Sequence, residues 1–223
     1  MQKSLFHRRF ADNTNQSSVA SQLRRRRFRI LLDMIGDARD VSILDIGGRP
    51  RYWEAMMAGT DLGERLRITL LNLEIDTVPQ VGFSVLAGDG RAMPQFADAE
   101  FDIVFSNSTI EHVGEWEDQQ RMSDEVRRVG RRYCVQTPNR YFPIEPHFVF
   151  PFFQFLPISM RASMVQRFQL GWMPRMPERE LALREVQSIR LLTKVEFQKL
   201  FPEATIYEER FGGLVKSFVA YTA

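Results

Sequence analysis

The 223-residue chain has a single cysteine, Cys134. No disulfide can form within it and no cysteine cluster can hold zinc, which fits a reducing compartment. It also lacks an apolar run long enough to cross a bilayer. The greasiest stretch, FVFPFFQFLPISM at 148–160, is interrupted by Pro151, Gln154 and Pro157, and a helical span needs about 20 residues. The N-terminal stretch has no apolar core of the kind a secretory signal carries. Strong charge of either sign is absent too, since 30 Lys and Arg stand against 28 Asp and Glu. That balance excludes a body built for general nucleic-acid binding. The basic excess is local: residues 1–40 carry nine Lys and Arg against four Asp. No G-x-G-x-x-G, P-loop, H-E-x-x-H or Ser-His-Asp order appears, and no metal is expected.

What the chain does have is alternation. Apolar, β-rich runs at 41–46, 68–74, 83–89, 101–107 and 132–138 are separated by helical patterns at 51–59 and 115–129. A helix at 193–201 and strands at 204–213 and 215–223 close the sequence, with Gly212-Gly213 as the hairpin turn. Short, nearly continuous apolar strands imply a sheet covered on both faces. The expected fold is α/β. It is a Rossmann-like, doubly wound, mostly parallel sheet in three layers, with an antiparallel C-terminal edge hairpin.

Residues 1–16 read as a polar arm. Ser17 or Ser18 would cap a helix to about residue 35, with Leu23, Ile30, Leu31, Met34 and Ile35 on one face. Arg24 to Arg27 and Arg29 crowd its remainder. The favoured reading is a solvated face, and the alternative is contact with an anionic membrane surface or nucleic acid. The division is thus a basic arm and helix over 1–35 and a main domain over 36–223. Residues 140–180, rich in Pro and Phe, interrupt the rhythm as a lid-like insertion. Phe148, Phe150, Phe152, Phe153 and Phe155 suit an apolar acceptor, a docked lid, or plain core packing.

In open α/β sheets ligands bind beyond the carboxyl ends of the strands, where strand order reverses. Those positions hold Asp45, Gly47 and Gly48; Asn72 and Glu74; Asp89 and Gly90; Ser106 and Asn107; and Asn139. Asp45 precedes the glycines, so it would repel a pyrophosphate and attract an ammonium. That favours S-adenosylmethionine over a dinucleotide, unless Asp45 merely caps the turn. Gly47 and Gly48 allow positive φ and close backbone approach. Glu74, or Asn72 if the strand ends earlier, would accept from ribose hydroxyls. Asp89 would accept from an adenine amino group or serve an Asp-Gly turn.

The segments VSILDIGG, LLNLE, LAGDGRAMP, FDIVFSNSTIEHV and YCVQTPN, in this order and spacing, resemble the class I S-adenosylmethionine-dependent methyltransferases. They look most like the ubiquinone- and menaquinone-biosynthesis-like branch and an uncharacterised bacterial subgroup of it. The resemblance covers roughly 35–140, with a tail from 190 to 223. It implies that Asp45, Gly47 and Gly48 line the methionine moiety, that Glu74 binds ribose, and that Asp89 and Gly90 bracket adenine. Ser106 and Asn107 would lie beneath the sulfonium. Arg49 and Arg51 replace two glycines of the usual D-x-G-x-G-x-G loop and are expected to face solvent.

Methyl transfer needs alignment, exclusion of water and, for some acceptors, removal of a proton. Glu111, His112 and His147 are the candidate bases, each against a structural alternative. Arg140, Tyr141 and Phe148, beside His147, are candidate acceptor contacts. The expected protein is a cytoplasmic methyltransferase, with peripheral membrane contact as a variant, acting on a small or lipid-linked acceptor, preferentially at oxygen, with nitrogen and carbon as the alternatives. The rivals are a non-catalytic protein of the same fold, a nicotinamide-dependent oxidoreductase and a nucleic-acid methyltransferase.

Overall fold

A computed structural model describes residues 19–75 and 82–223, and of 19–23 only the helical backbone. The expected arm at 1–16, the Ser17 or Ser18 cap and the Leu23 side chain lie outside the described residues.

Among the described residues the main sheet has the order β3-β2-β1-β4-β5-β9-β8. Its strands are β1 (Val41–Ile46), β2 (Leu66–Asn72), β3 (Phe83–Ala87), β4 (Phe101–Asn107), β5 (Gly130–Pro138), β8 (Thr205–Phe211) and β9 (Leu214–Tyr221). β1 to β5 pair in parallel, whereas β9 runs antiparallel to β5 and β8 to β9. The β8–β9 turn is made by Gly212 and Gly213 at φ 57° and 83°, the left-handed pair that a tight hairpin requires. The expected Rossmann-like sheet with an antiparallel edge is therefore observed.

Central strands are apolar toward both sides because helices cover both faces. On one face Ile43, Phe105, Cys134 and Val219 pack against α1 (Val19–Ile35), α2 (Pro50–Met57) and α3 (Leu62–Arg65). The contributions are Phe28, Leu31, Met34 and Ile35 from α1, Trp53 from α2 and Leu62 from α3. On the other face Leu44, Ile46, Val104 and Val135 pack against α4 (Trp116–Val129) and α7 (Lys194–Leu200). Both of these helices open with a reciprocal capping box, Glu115 with Asp118 and Thr193 with Glu196.

α1 runs against the strand direction. Near its end the Met34 carbonyl accepts from Arg132 at the start of β5, whereas Arg27 donates to Asn107 at the end of β4. The arginine run thus begins at the carboxyl edge of the sheet. Arg25, Arg26 and Arg29 are exposed, but Arg24 and Arg27 are half-buried. The solvated-face expectation fails for these two. At helical spacing 24, 27, 28 and 31 share the stripe that Phe28 and Leu31 bury.

The insertion is also more ordered than its sequence suggests. It runs from the end of β5 to the start of α7 and holds a short β6–β7 hairpin (Ile144–Glu145 and Phe150–Pro151), then α5 (Ile158–Arg167) and α6 (Arg179–Gln187). It has its own core of Phe148, Phe153, Ala162, Val165, Ala182 and Val186. Core packing is the use of Phe148 and Phe153, while Phe152 and Phe155 are exposed. No helix among the described residues is long and apolar enough to cross a membrane.

Candidate active site

The order reversal lies between β1 and β4, so the crevice to inspect is bounded by residues 45–48 and 106–112. Gly47 sits at φ 79°, and a Cβ there would overlap the Thr109 side chain. A Cβ on Gly48 would overlap the Asp45 carboxylate. The two glycines let this turn lie flat between the two strand ends. Asn72 Nδ2 donates to the Gly48 carbonyl at 3.0 Å and ties the turn to the end of β2. Arg49 and Arg51 are exposed, as expected.

Asp45 is only 2 % exposed, and its Oδ2 accepts from the Trp53 indole at 2.7 Å. Burial raises its pKa to about 7, with the indole bond opposing the shift. The carboxylate therefore lies beneath the glycine turn instead of projecting freely toward a ligand. Trp53, eight residues on and on α2, is the partner that the sequence reading missed.

β2 stops at Asn72, two residues before its expected end, because the buried run ends at Leu71 and Leu73 is exposed. Glu74 follows as an exposed carboxylate. Asp89 is committed to Arg91. The guanidinium bonds Oδ1 at 3.0 Å and Oδ2 at 2.6 Å, and also reaches Asp118 at 3.0 Å. These bonds hold Asp89 below the usual carboxylate range. Gly90 is buried, and a Cβ there would crowd Ile46. Ser106 is fully buried, with its hydroxyl donating to the Ile46 carbonyl at 3.2 Å, so it locks β4 to β1. Asn107 Oδ1 accepts from Arg27 at 2.9 Å, and Arg27 pairs with the buried Glu209 at 3.1 Å. Arg27 is thus a polar group of the crevice that the sequence reading assigned to solvent.

A 3₁₀ turn over Ile110–His112 follows β4 and brings Glu111 and His112 up to the insertion. His112 Nε2 lies 3.1 Å from His147 Nε2, and the rings meet edge to face. His147 Nδ1 is 2.6 Å from Glu145 Oε1. Glu145 Oε2 accepts from the backbone of His147 and Phe148 at 2.8 and 2.7 Å. Burial alone would lower the pKa of His147, but Glu145, then Glu111 and Glu185, outweigh it and raise the value. Burial and the neighbouring His147 lower His112 to about 4. Burial raises Glu111 to about 7, opposed by His147 and by its Thr137 contact at 3.2 Å.

His147 Nδ1–H donates to Glu145 in this arrangement, which leaves Nε2 as the acceptor of the neutral ring. One constellation therefore holds a basic imidazole, an orienting carboxylate and a neutral histidine. Glu111, His112 and His147 also present ligand atoms within 4.8 Å of one another, and Glu111 Oε1 is buried without a partner. This set could take a divalent cation, which the sequence reading did not consider. Tyr141 is exposed and stacks on Phe155, while Arg140 lines a cavity at the insertion's base.

Residues 50–133 match the family described as a methyltransferase domain. No curated protein sequence matches the chain. Among solved structures, an S-adenosylmethionine-dependent methyltransferase from Aquifex aeolicus aligns over 90 % of this chain and 91 % of its own, at TM-score 0.51 and 15 % identity. The 1,6-didemethyltoxoflavin-N1-methyltransferase of Burkholderia thailandensis, with its acceptor and S-adenosylhomocysteine bound, aligns over 89 % and 76 %, at TM-score 0.54 and 15 % identity. A phosphoethanolamine N-methyltransferase of Haemonchus contortus aligns over 86 % of this chain but 39 % of its own, at TM-score 0.54 and 11 % identity. The chain therefore has the Rossmann-like methyltransferase fold, with a methyltransferase-domain match across residues 50–133.

Proposed function

We propose that the protein is an S-adenosylmethionine-dependent methyltransferase acting on a small or lipid-linked acceptor, with oxygen as the receiving atom. The observation that carries this reading is the pairing, along one sheet edge, of a bare glycine turn at the β1–β4 crevice with the Glu145–His147–His112 constellation. The donor set suits S-adenosylmethionine. Asp45 stands where a dinucleotide would need backbone amides facing phosphate, whereas Glu74 suits a ribose in either case. The domain match supports the same choice.

Bound S-adenosylmethionine supplies a methyl already activated on a sulfonium. The chain's own tasks are to hold, orient and deprotonate. Gly47 and Gly48 give close backbone approach, and Asn72 fixes the turn through the Gly48 carbonyl. Glu74 accepts from vicinal hydroxyls of the ribose. Asp45 lies beneath the turn with its pKa raised to about 7, and its ionised form offers negative potential toward an ammonium group above. Asp89, held by Arg91, bounds the adenine end with Gly90. Ser106 secures the floor of the crevice, and Asn107, oriented by Arg27, stands at its edge.

His147 takes the acceptor's proton at Nε2, once the acceptor hydroxyl displaces His112 Nε2, which lies 3.1 Å from that nitrogen. Glu145 fixes the ring through Nδ1 and stabilises the imidazolium that results. His112, neutral at physiological pH, donates or accepts across the same gap as the proton moves. Glu111 supports that turn from beneath. The insertion over 140–180 covers the acceptor, and water exclusion there strengthens each polar contact. The direct test is transfer of labelled methyl to a panel of small acceptors. Transfer to phenols or hydroxy acids supports the reading, transfer to amines alone moves the receiving atom to nitrogen, and saturable NAD binding without S-adenosylmethionine binding sinks it.

A further inference from the structure

A cavity of about 250 Å³ lies between the insertion and the start of the chain that follows it. Arg140, Glu145, Phe148, Gln154, Arg161 and Arg190 are among its walls. Three guanidiniums face one carboxylate, and the commitments of each differ. Glu145 is spent, since one oxygen holds the His147 ring and the other accepts two backbone N–H groups. Arg190 is spent as well, bonding Gln119 and Glu196 at 2.6 Å each and covering the Trp116 ring. Arg161 is not. Among the described residues its one hydrogen bond is a 3.3 Å contact with the Val186 carbonyl, and its Nε is buried with no acceptor. Among the described residues the Arg140 guanidinium has no hydrogen-bonded or ion-paired partner. Gln154 spends its amide nitrogen on the Arg140 and Phe142 carbonyls, but its Oε1 is buried with no donor.

Unsatisfied buried polar atoms are costly and rare, so two in one cavity point to a group that is missing. That group must accept from guanidinium and donate to an amide oxygen. Resting on the methyltransferase reading, we propose that this cavity seats the oxyanion end of the acceptor, a carboxylate or phosphate, between Arg140 and Arg161. A neighbouring hydroxyl or N–H of the same molecule bonds Gln154 Oε1. The fork of an arginine matches either oxyanion with two parallel bonds. Phe148, Phe153 and Leu191 leave room for a short apolar body beside the charge. The volume suits the polar end of a small acid and is too small for an acyl chain. Glu145 links this cavity to the base, because the carboxylate that lines it is the one that orients His147. An anion anchored here sets the distance from the acceptor to Nε2.

The test uses the full chain with S-adenosylhomocysteine, inorganic phosphate, benzoate and benzyl alcohol, each titrated alone by calorimetry or ligand-observed NMR. Saturable binding of phosphate or benzoate, with benzyl alcohol at least about tenfold weaker, supports the proposal. Preference between phosphate and benzoate tells which oxyanion the site takes. Arg161→Gln and Arg140→Gln should each weaken the preferred anion by about tenfold or more and leave S-adenosylhomocysteine affinity within about threefold. Arg140 is exposed, so its variant keeps the test intact if Arg161→Gln does not fold. Anion binding without S-adenosylhomocysteine binding would preserve this site while removing the methyltransferase reading. Absence of anion binding at millimolar concentration, or anion binding that neither variant changes, would overturn the proposal and leave the cavity to water.

Discussion

Replacing His147 with alanine removes the side chain that joins Glu145 to His112. Glu145 is not stranded by the change, because it keeps the backbone donors of residues 147 and 148. The stability cost is then the loss of one charge-assisted bond, about 1.5–3 kcal/mol. At about 2–4 °C per kcal/mol for a chain of this size, melting falls by roughly 3–12 °C and folding survives. Cofactor affinity should stay within about threefold, since His147 touches none of the residues at the glycine turn. Turnover should fall by about 10²–10⁴, the usual contribution of a general base, equivalent to roughly 3–5 kcal/mol of barrier. The pH profile is the sharper readout. The base must be unprotonated, so wild-type kcat/KM rises with pH through the elevated pKa of His147, and the alanine variant loses that limb. Stability follows the opposite sign. A pKa raised on folding stabilises the protonated form. That contribution is complete below the ordinary histidine value and is lost as pH rises through the folded value. A labelled-methyl assay across pH, with melting measured on the same samples, reads both. Wild-type turnover with an unchanged acid limb in the variant would refute the role of His147.

Asp45→Asn should flatten a specific part of the stability profile. Folding raises this acid to about 7, so wild type loses up to about 4 kcal/mol as pH climbs from the ordinary aspartate value to 7, and the variant does not. Superimposable pH–stability curves for the two proteins would contradict the burial argument. Glu74→Ala should weaken S-adenosylhomocysteine binding by roughly 10- to 150-fold per bond lost, measured by calorimetry. Unchanged affinity would move the ribose contact to Asn72. Arg27→Ala leaves Glu209, 1 % exposed, with Ser217 as its one side-chain hydrogen-bond partner among the described residues, and should cost about 3–5 kcal/mol in denaturant melts. Adding Glu209→Gln should recover part of it. Finally, activity should survive a chelator if His147 acts as the base. Loss with EDTA and recovery with a divalent cation would show that Glu111, His112 and His147 act as metal ligands instead.

The sheet was readable because central strands buried on both faces leave unbroken apolar runs, as in Ile43-Leu44 and Ile103-Val104-Phe105. The Gly212-Gly213 turn announced the edge hairpin for an equally local reason. What stayed hidden was long-range or packed against its own neighbours. α5 and α6 bury small residues, Ala162, Val165, Ala182 and Val186, in a segment where prolines mask the period. Arg24 and Arg27 looked solvated because charge in a run outweighed their spacing with Phe28 and Leu31. The ends of β1, β4 and β5 were located correctly and those of β2 and β3 two residues late, but the side-chain commitments there were not legible. Trp53 on Asp45, Arg91 on Asp89 and Arg27 on Asn107 depend on how elements meet in space. The His112–His147 contact crosses 35 residues, so only the fold could join two candidates that the sequence named separately.

The most direct measurement is calorimetric titration of the full chain with S-adenosylhomocysteine and, separately, with NAD. The account predicts saturable, one-to-one binding of S-adenosylhomocysteine that weakens in Glu74→Ala, with no heat from NAD at the same concentrations. Saturable NAD binding with none for S-adenosylhomocysteine would contradict it.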